Sequence, residues 1–198
     1  MDEISLATQE LATPQKRGIS SLPGELWEEL RLEAARVTAR EEILRGFLDV
    51  AVLRLTNFAL GLGSLLAGKL GELSMPVERL RDLALAAMVD EPAIIAAAAA
   101  DLVAIRTRDP AAESYLTPFL YYKGFHALQW HRVGHWLWRS RRRDLADFLQ
   151  SRVSEVFAVD IHPAVPIGSG VFIDHGTGLV VGETAVIGDN VSIQSCMR

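Results

Sequence analysis

A single cysteine, Cys196, occurs in a chain of 198 residues. No internal disulfide can therefore staple the fold, and a reducing compartment is the natural setting. The longest charge-free apolar stretch, residues 55–68, falls short of the roughly 20 residues that a spanning helix needs. Asp2 and Glu3 open the chain with no apolar segment behind them, so no secretory leader is expected. There is no cationic excess either: the net charge is −5, and no global field recruits nucleic acid or anionic lipid. These absences point to a cytoplasmic protein without nucleic-acid or membrane partners. What remains is ordinary for a globular protein of one or two domains, with 49% apolar and 23% charged residues.

The most informative feature is a six-residue period near the C-terminal end. The hexads are 161–166, 167–172, 173–178, 181–186 and 187–192, with Leu179 and Val180 as a two-residue slip between the third and fourth. Each opens with Ile or Val, the fifth position is small or β-branched in all five, and the second residue is Gly in three of the five. Hexapeptide periods mark parallel β-helices: each side of a triangular coil contributes a short strand, a turn and one inward aliphatic side chain. Glycine after the aliphatic residue is expected to supply the backbone angles of a tight corner.

Upstream, the pattern is helical. Residues 1–22 are polar and aperiodic and read as a disordered arm. Leu26, Leu30, Ala34 and Val37 recur at three- and four-residue steps. Residues 43–70 continue as apolar helix, with a break expected at 61–64. Ser74 and Pro76 read as an N-cap and a first-turn proline, and Asp90, Glu91 and Pro92 repeat that signal before 94–105. Asp109-Pro110 stops that helix, because a residue before proline avoids the α region. Thr117-Pro118 starts another helix running to Trp138, closed by the cationic run 139–143. Leu145, Phe148, Leu149, Val153 and Val156 form a last stripe. The expected fold class is α+β: a helical domain over 23–158, then the first coils of a left-handed parallel β-helix over 159–198.

Several strings carry a family resemblance. Val159-Asp160-Ile161-His162-Pro163 and Asp174-His175-Gly176-Thr177-Gly178 resemble serine O-acetyltransferase, as do the residues from Leu179 to Gly188. So do Thr107-Arg108-Asp109-Pro110, Tyr122-Lys123-Gly124-Phe125-His126 and Gly134-His135-Trp136 in the helical part. A generic hexapeptide acyltransferase would share the repeat but not the helical strings. The resemblance implies acetyl transfer from acetyl-CoA, as co-substrate, to the hydroxyl of L-serine, with no bound cofactor. It also implies a homo-oligomer, a trimer or dimer of trimers, with sites between neighbouring β-helices. By the same resemblance His175 is the general base, Asp160 orients it, and Asp109 and Asp174 contact serine. The chemistry is coherent: an alcohol is a poor nucleophile and needs a base titrating near neutrality, and a carboxylate on the far ring nitrogen stabilises the imidazolium. Asp160 and His175 are 15 residues apart, which a coil of three hexads places on adjacent coils, near but not stacked.

The sequence departs from the family pattern after Ile193. The resemblance implies further coils with a second histidine, most acetyl-CoA contacts and a tail that docks onto cysteine synthase. None of these is assigned here, so the coenzyme-binding residues are unknown and cysteine synthase is not an expected partner. The ending reads as a frameshift, premature stop or fragment, and little or no transferase activity is expected of it. A non-catalytic oligomerisation module and a hexapeptide acyltransferase for a sugar or homoserine are the competing readings. His131 and His135 have i, i+4 spacing but lack the glutamate of a zincin helix, and no metal is expected.

Overall fold

The computed structural model describes residues 22–194; the polar arm, apart from Leu22, and Cys196 lie outside them. Eight α-helices precede four short strands among these residues. They are α1 (Leu22–Arg40), α2 (Arg45–Leu48), α3 (Phe58–Leu70), α4 (Val77–Asp90), α5 (Ala93–Arg108), α6 (Leu116–Tyr121), α7 (Lys123–Arg139) and α8 (Arg143–Phe157). The strands are β1 (Val159–Ile161), β2 (Phe172–Asp174), β3 (Leu179–Val181) and β4 (Ser192–Gln194).

Several helix boundaries differ from the sequence reading, each for a physical reason. The break in 43–70 falls at 54–57, not at 61–64. Asn57 caps α3 there by accepting the Leu60 N–H at 3.0 Å. Gly61 lies inside α3, where a Cβ would collide with the Trp27 ring. It brings α1 and α3 together rather than breaking a helix. Ser74 does not cap α4: its hydroxyl donates to Glu72, and extended Pro76 occupies the N-cap. Asp90 ends α4 instead of capping α5, and its carboxylate accepts the Trp136 indole N–H at 2.7 Å. The helix expected from 117 to 138 is two, because Tyr122 adopts an extended ψ of 107° between α6 and α7. On α8 the buried face is Ala146, Leu149, Val153 and Phe157, with Val156 40% exposed.

Trp27 anchors the helical core edge-on to Phe58 and Phe119. Burying each such ring contributes about 2–3 kcal/mol. Helix α7 is buried along nearly its whole length, because helices lie on one side and the β-coil on the other. Its Arg132 is the splice between them. The guanidinium donates to Asp101 Oδ2 on α5 at 2.6 Å, and to the carbonyls of Ile167 (3.2 Å) and Gly168 (2.8 Å) on the coil. Asp101 Oδ1 accepts the Val171 N–H at 2.8 Å, and Gln129 donates to its other oxygen at 3.0 Å. Burial pushes the Asp101 carboxyl up, and Arg132 and its hydrogen bonds pull it back.

The coil is parallel throughout. Strand β1 pairs with β3 (Val159 with Leu179), Ile167 bridges Ile187, and β2 pairs with β4 (Phe172 with Ser192). Every pairing spans 20 residues (179 − 159, 187 − 167, 192 − 172), which is three hexads plus the two-residue slip. This corrects the placement of His175. With a 20-residue coil it lies on the same coil as Asp160, in the corner at 175–178 that leads into β3. The glycines are also used differently from expectation. Left-handed backbone occurs at Gly170, Gly176 and Asn190, the fourth hexad position, and at His175 and Gly178. Gly168, at a second position, is instead required because Asp189 of the next coil passes too close for a Cβ. The first coil buries Val159, Ile161, Val165, Val171 and Ile173, while Leu179, Val181, Ile187 and Ile193 of the second are half-buried.

Candidate functional site

His175 occupies the enlarged corner with φ +56°, a conformation uncommon for a residue with a side chain. The slip makes room for this corner, and Gly176 and Gly178 supply its other left-handed angles (φ +74° and +79°). The corner closes on the start of β1: the Gly178 N–H donates to Ala158 O at 2.8 Å. A Cβ on Gly176 would press on Val159 at 2.9 Å. The imidazole is therefore held out from the coil, with its side chain 81% exposed and Nε2 3.8 Å from Asp174 Oδ1.

Asp174 ends β2, and it acts electrostatically on the same tyrosine as a carboxylate of the helical domain. Asp109 follows α5, where its Oδ1 accepts the Ala111 N–H at 2.9 Å. Its Oδ2 accepts the Tyr122 hydroxyl at 2.9 Å. Burial, the hydrogen bond to Asp109 and the negative charges of Asp109 and Asp174 together push the Tyr122 phenol up to about 12. Tyr122, Asp109 and Asp174 thus form one cluster. Beside it, Lys123 Nζ donates to Thr177 Oγ1 in the histidine corner.

Asp160, at the centre of β1, faces α8. Its Oδ1 accepts from Gln150 Nε2 at 2.7 Å. No hydrogen bond or ion pair among the described residues joins Asp160 to His175; the carboxylate facing the imidazole is Asp174. The structure therefore brings together three of the four residues singled out from sequence, His175, Asp174 and Asp109. It places Asp160 at the base of the same corner, two residues beyond Ala158.

Sequence reasoning missed four supporting residues: Arg108, Tyr122, Lys123 and Gln150. Arg108, just before Asp109, donates to Gly170 O (3.1 Å), Ser192 Oγ (3.2 Å) and Asn190 Oδ1 (3.3 Å), tying the end of α5 to both coils. Only the strings around Tyr122 and Arg108 hinted at them; their partners lie 54–84 positions away for all but Tyr122 and Gln150. His131 and His135 serve the fold instead. They bond the carbonyls of Val165 (2.9 Å) and Pro163 (2.8 Å), and burial pushes His131 down to about 3. No cluster of three His, Cys, Asp or Glu suited to a metal occurs among the described residues. A cavity of about 430 Å³ between α5, α7 and the coil is bordered by these histidines and by Ile94, Ala97 and Ile167, and holds none of the four residues.

The profile of the family described as "Serine acetyltransferase, N-terminal" matches residues 26–130, more than half of the chain. The chain belongs to the serine acetyltransferase family. It is 49% identical over 168 residues to a serine acetyltransferase of Salmonella typhimurium, covering 85% of this chain and 62% of that relative's length. A probable serine acetyltransferase 4 of rice is 48% identical over 185 residues, with 92% and 58% covered. Among solved structures, soybean serine acetyltransferase complexed with serine superposes with a TM-score of 0.85 at 47% identity, covering 87% of this chain and 71% of that one. A serine acetyltransferase in complex with CoA gives 0.85 at 45%, with 87% and 73% covered. The chain therefore spans about three-fifths of the length of the curated relatives it matches. The fold class is that of the family, a helical domain leading into a left-handed parallel β-helix. Among the described residues no single helix is long and apolar enough to cross a membrane.

Proposed function

We propose that the protein transfers the acetyl group of acetyl-CoA to the hydroxyl of L-serine, giving O-acetylserine for cysteine biosynthesis in the cytoplasm. One observation carries this reading. Asp109 of the helical domain accepts the Tyr122 hydroxyl within the electrostatic reach of Asp174 of the β-coil, which itself lies 3.8 Å from the exposed imidazole of His175. Two carboxylates complement an ammonium group, and an imidazole complements a weakly acidic alcohol. Free serine carries both, on adjacent carbons.

In this mechanism His175 removes the serine hydroxyl proton as the oxygen attacks the thioester carbonyl carbon. A C–O bond forms, the tetrahedral intermediate collapses by breaking the C–S bond, and the imidazolium returns its proton to the departing thiolate. Asp174 and Asp109 hold the ammonium. The family resemblance assigns Asp160 to orient and stabilise the imidazolium; it lies on the strand on which the histidine corner docks, although in this chain its carboxylate is bonded to Gln150. Acetyl-CoA acts as a co-substrate, and no residue of this chain is assigned to it. The working form is a homo-oligomer, a trimer or a dimer of trimers.

The test is thiol release from acetyl-CoA, followed with a chromogenic disulfide. The expected result is release that depends on L-serine, low in this chain by the sequence reading, and that disappears in His175→Ala. L-serine-dependent release that survives His175→Ala overturns the role of that residue. Release with a sugar or homoserine, but not with serine, assigns another acceptor.

A further inference from the structure

The segment that starts α7 is unusual in that three consecutive residues each engage the candidate site. Gly124 packs so closely on β2 that a Cβ would overlap the carbonyl of Ile173, one residue before Asp174. Lys123 donates to Thr177, two residues after His175. Tyr122 donates its hydroxyl to Asp109 Oδ2 at 2.9 Å, in a half-buried position where Asp174 also acts on it. Its backbone is held in place, since the Tyr122 N–H donates to Pro118 O and its carbonyl accepts from His126 N–H. The hydroxyl is thus a fixed donor to Asp109 that also feels the charge of Asp174, a carboxylate carried on a separate element.

We propose that Tyr122 is a positioning residue for the amino group of the substrate: by holding one oxygen of Asp109 it sets the spacing of Asp109 and Asp174 into an ammonium-binding pair. The role rests on the reading of the site as one that binds a hydroxy amino acid. The logic is electrostatic. Two adjacent carboxylates repel, and Asp109 would swing away if nothing held it. The Ala111 N–H fixes Oδ1 and the phenol fixes Oδ2, each leaving a lone-pair direction free for an ammonium. The phenol donates but carries no charge, so it orients the carboxylate without neutralising it, as a lysine there would.

Tyr122→Phe removes only the hydroxyl. The experiment measures binding of two probes by calorimetry: L-serine, and 3-hydroxypropionate, which keeps the hydroxyl and carboxylate but lacks the ammonium. Tyr122→Phe is expected to weaken L-serine about tenfold, the loss typical of one hydrogen bond to a charged group. It should change 3-hydroxypropionate less than twofold. In an Asp109→Asn background the same change should cost L-serine less than twofold, because the phenol then has no carboxylate to hold. Equal L-serine affinity in wild type and Tyr122→Phe overturns the inference while leaving the hydroxy-amino-acid reading intact. So does a tenfold loss that persists in Asp109→Asn, or an equal loss for both probes. Wild-type protein that binds 3-hydroxypropionate as tightly as L-serine overturns the reading of the site itself, and the role of Tyr122 with it.

Discussion

Arg132 Nη2 lies 2.6 Å from Asp101 Oδ2, with Asp101 wholly buried and Arg132 8% exposed. This pair joins α7 to α5; Gln129 of α7 bonds to both side chains, and the other bonds of the pair go to the first coil. A buried ion pair is a weak source of net stability, but removing one member strands the other charge away from water.

Asp101→Ala should therefore lower the unfolding free energy by about 3–5 kcal/mol. It leaves the guanidinium uncompensated and also orphans the Val171 N–H. Urea denaturation checks the magnitude. A loss below about 1 kcal/mol would mean that water reaches the site and that the splice is not sealed.

Gly61 and Gly68 occupy one helix but have opposite surroundings. Gly61 faces the Trp27 ring, whereas a Cβ at Gly68 meets nothing within 4 Å. Gly61→Ala should destabilise by about 1–3 kcal/mol through overpacking. Gly68→Ala should stabilise by about 0.5–1 kcal/mol, because alanine loses less backbone entropy in a helix. Thermal melts of the two variants should move in opposite directions.

Gly124→Ala tests how tightly the candidate site depends on the dock between α7 and β2. The added methyl would overlap the backbone carbonyl of Ile173, which no side-chain rotation relieves. A loss of about 2–3 kcal/mol is expected, and affinity for L-serine should fall as Asp174 is pushed from Asp109. Unchanged calorimetric titrations would show that the two carboxylates are not set by this contact.

Two buried histidines make the fold acid-sensitive. Burial pushes His126 down to about 4 and His131 down to about 3 from the ordinary 6.5. Lys69 adds to the effect at His126, and His135 and Arg132 add to it at His131. Below pH 6.5 the unfolded chain takes up protons that the folded chain excludes, so stability present above that pH is lost as pH falls towards 4 and then 3. Each histidine contributes a slope of about 1.4 kcal/mol per pH unit in that window. Urea midpoints measured from pH 7 to 4.5 should fall, and more gently in His131→Asn; a flat profile would mean the imidazoles reach water when folded.

How far a feature is legible in the sequence follows the range of the interaction behind it. Hexad phase is local, set by one inward aliphatic every six residues, so the coil was legible, but only the strand pairing showed that the slip at Leu179 and Val180 enlarges the corner that carries His175. The helical stripe on α1 was legible for the same reason. Boundaries were less so: Ser74 and Asp90 are good capping residues in isolation, but Glu72 and Trp136 engage their side chains instead. Gly61 read as a breaker because the Trp27 ring that demands it lies 34 positions away.

By itself, the order of residues determined the triangular coil, the helical block before it and the family, and through the family resemblance it singled out His175, Asp160, Asp174 and Asp109 as the candidate residues. Tertiary structure alone decided that Tyr122 holds Asp109 within reach of the charge of Asp174, that Asp160 is gripped by Gln150, and that Arg132 and Arg108 lock the two parts of the fold together. The reason is physical. Periodicity records which face of an element is buried, but a hydrogen bond between side chains on different elements depends on how those faces pack, and no spacing along the chain encodes it.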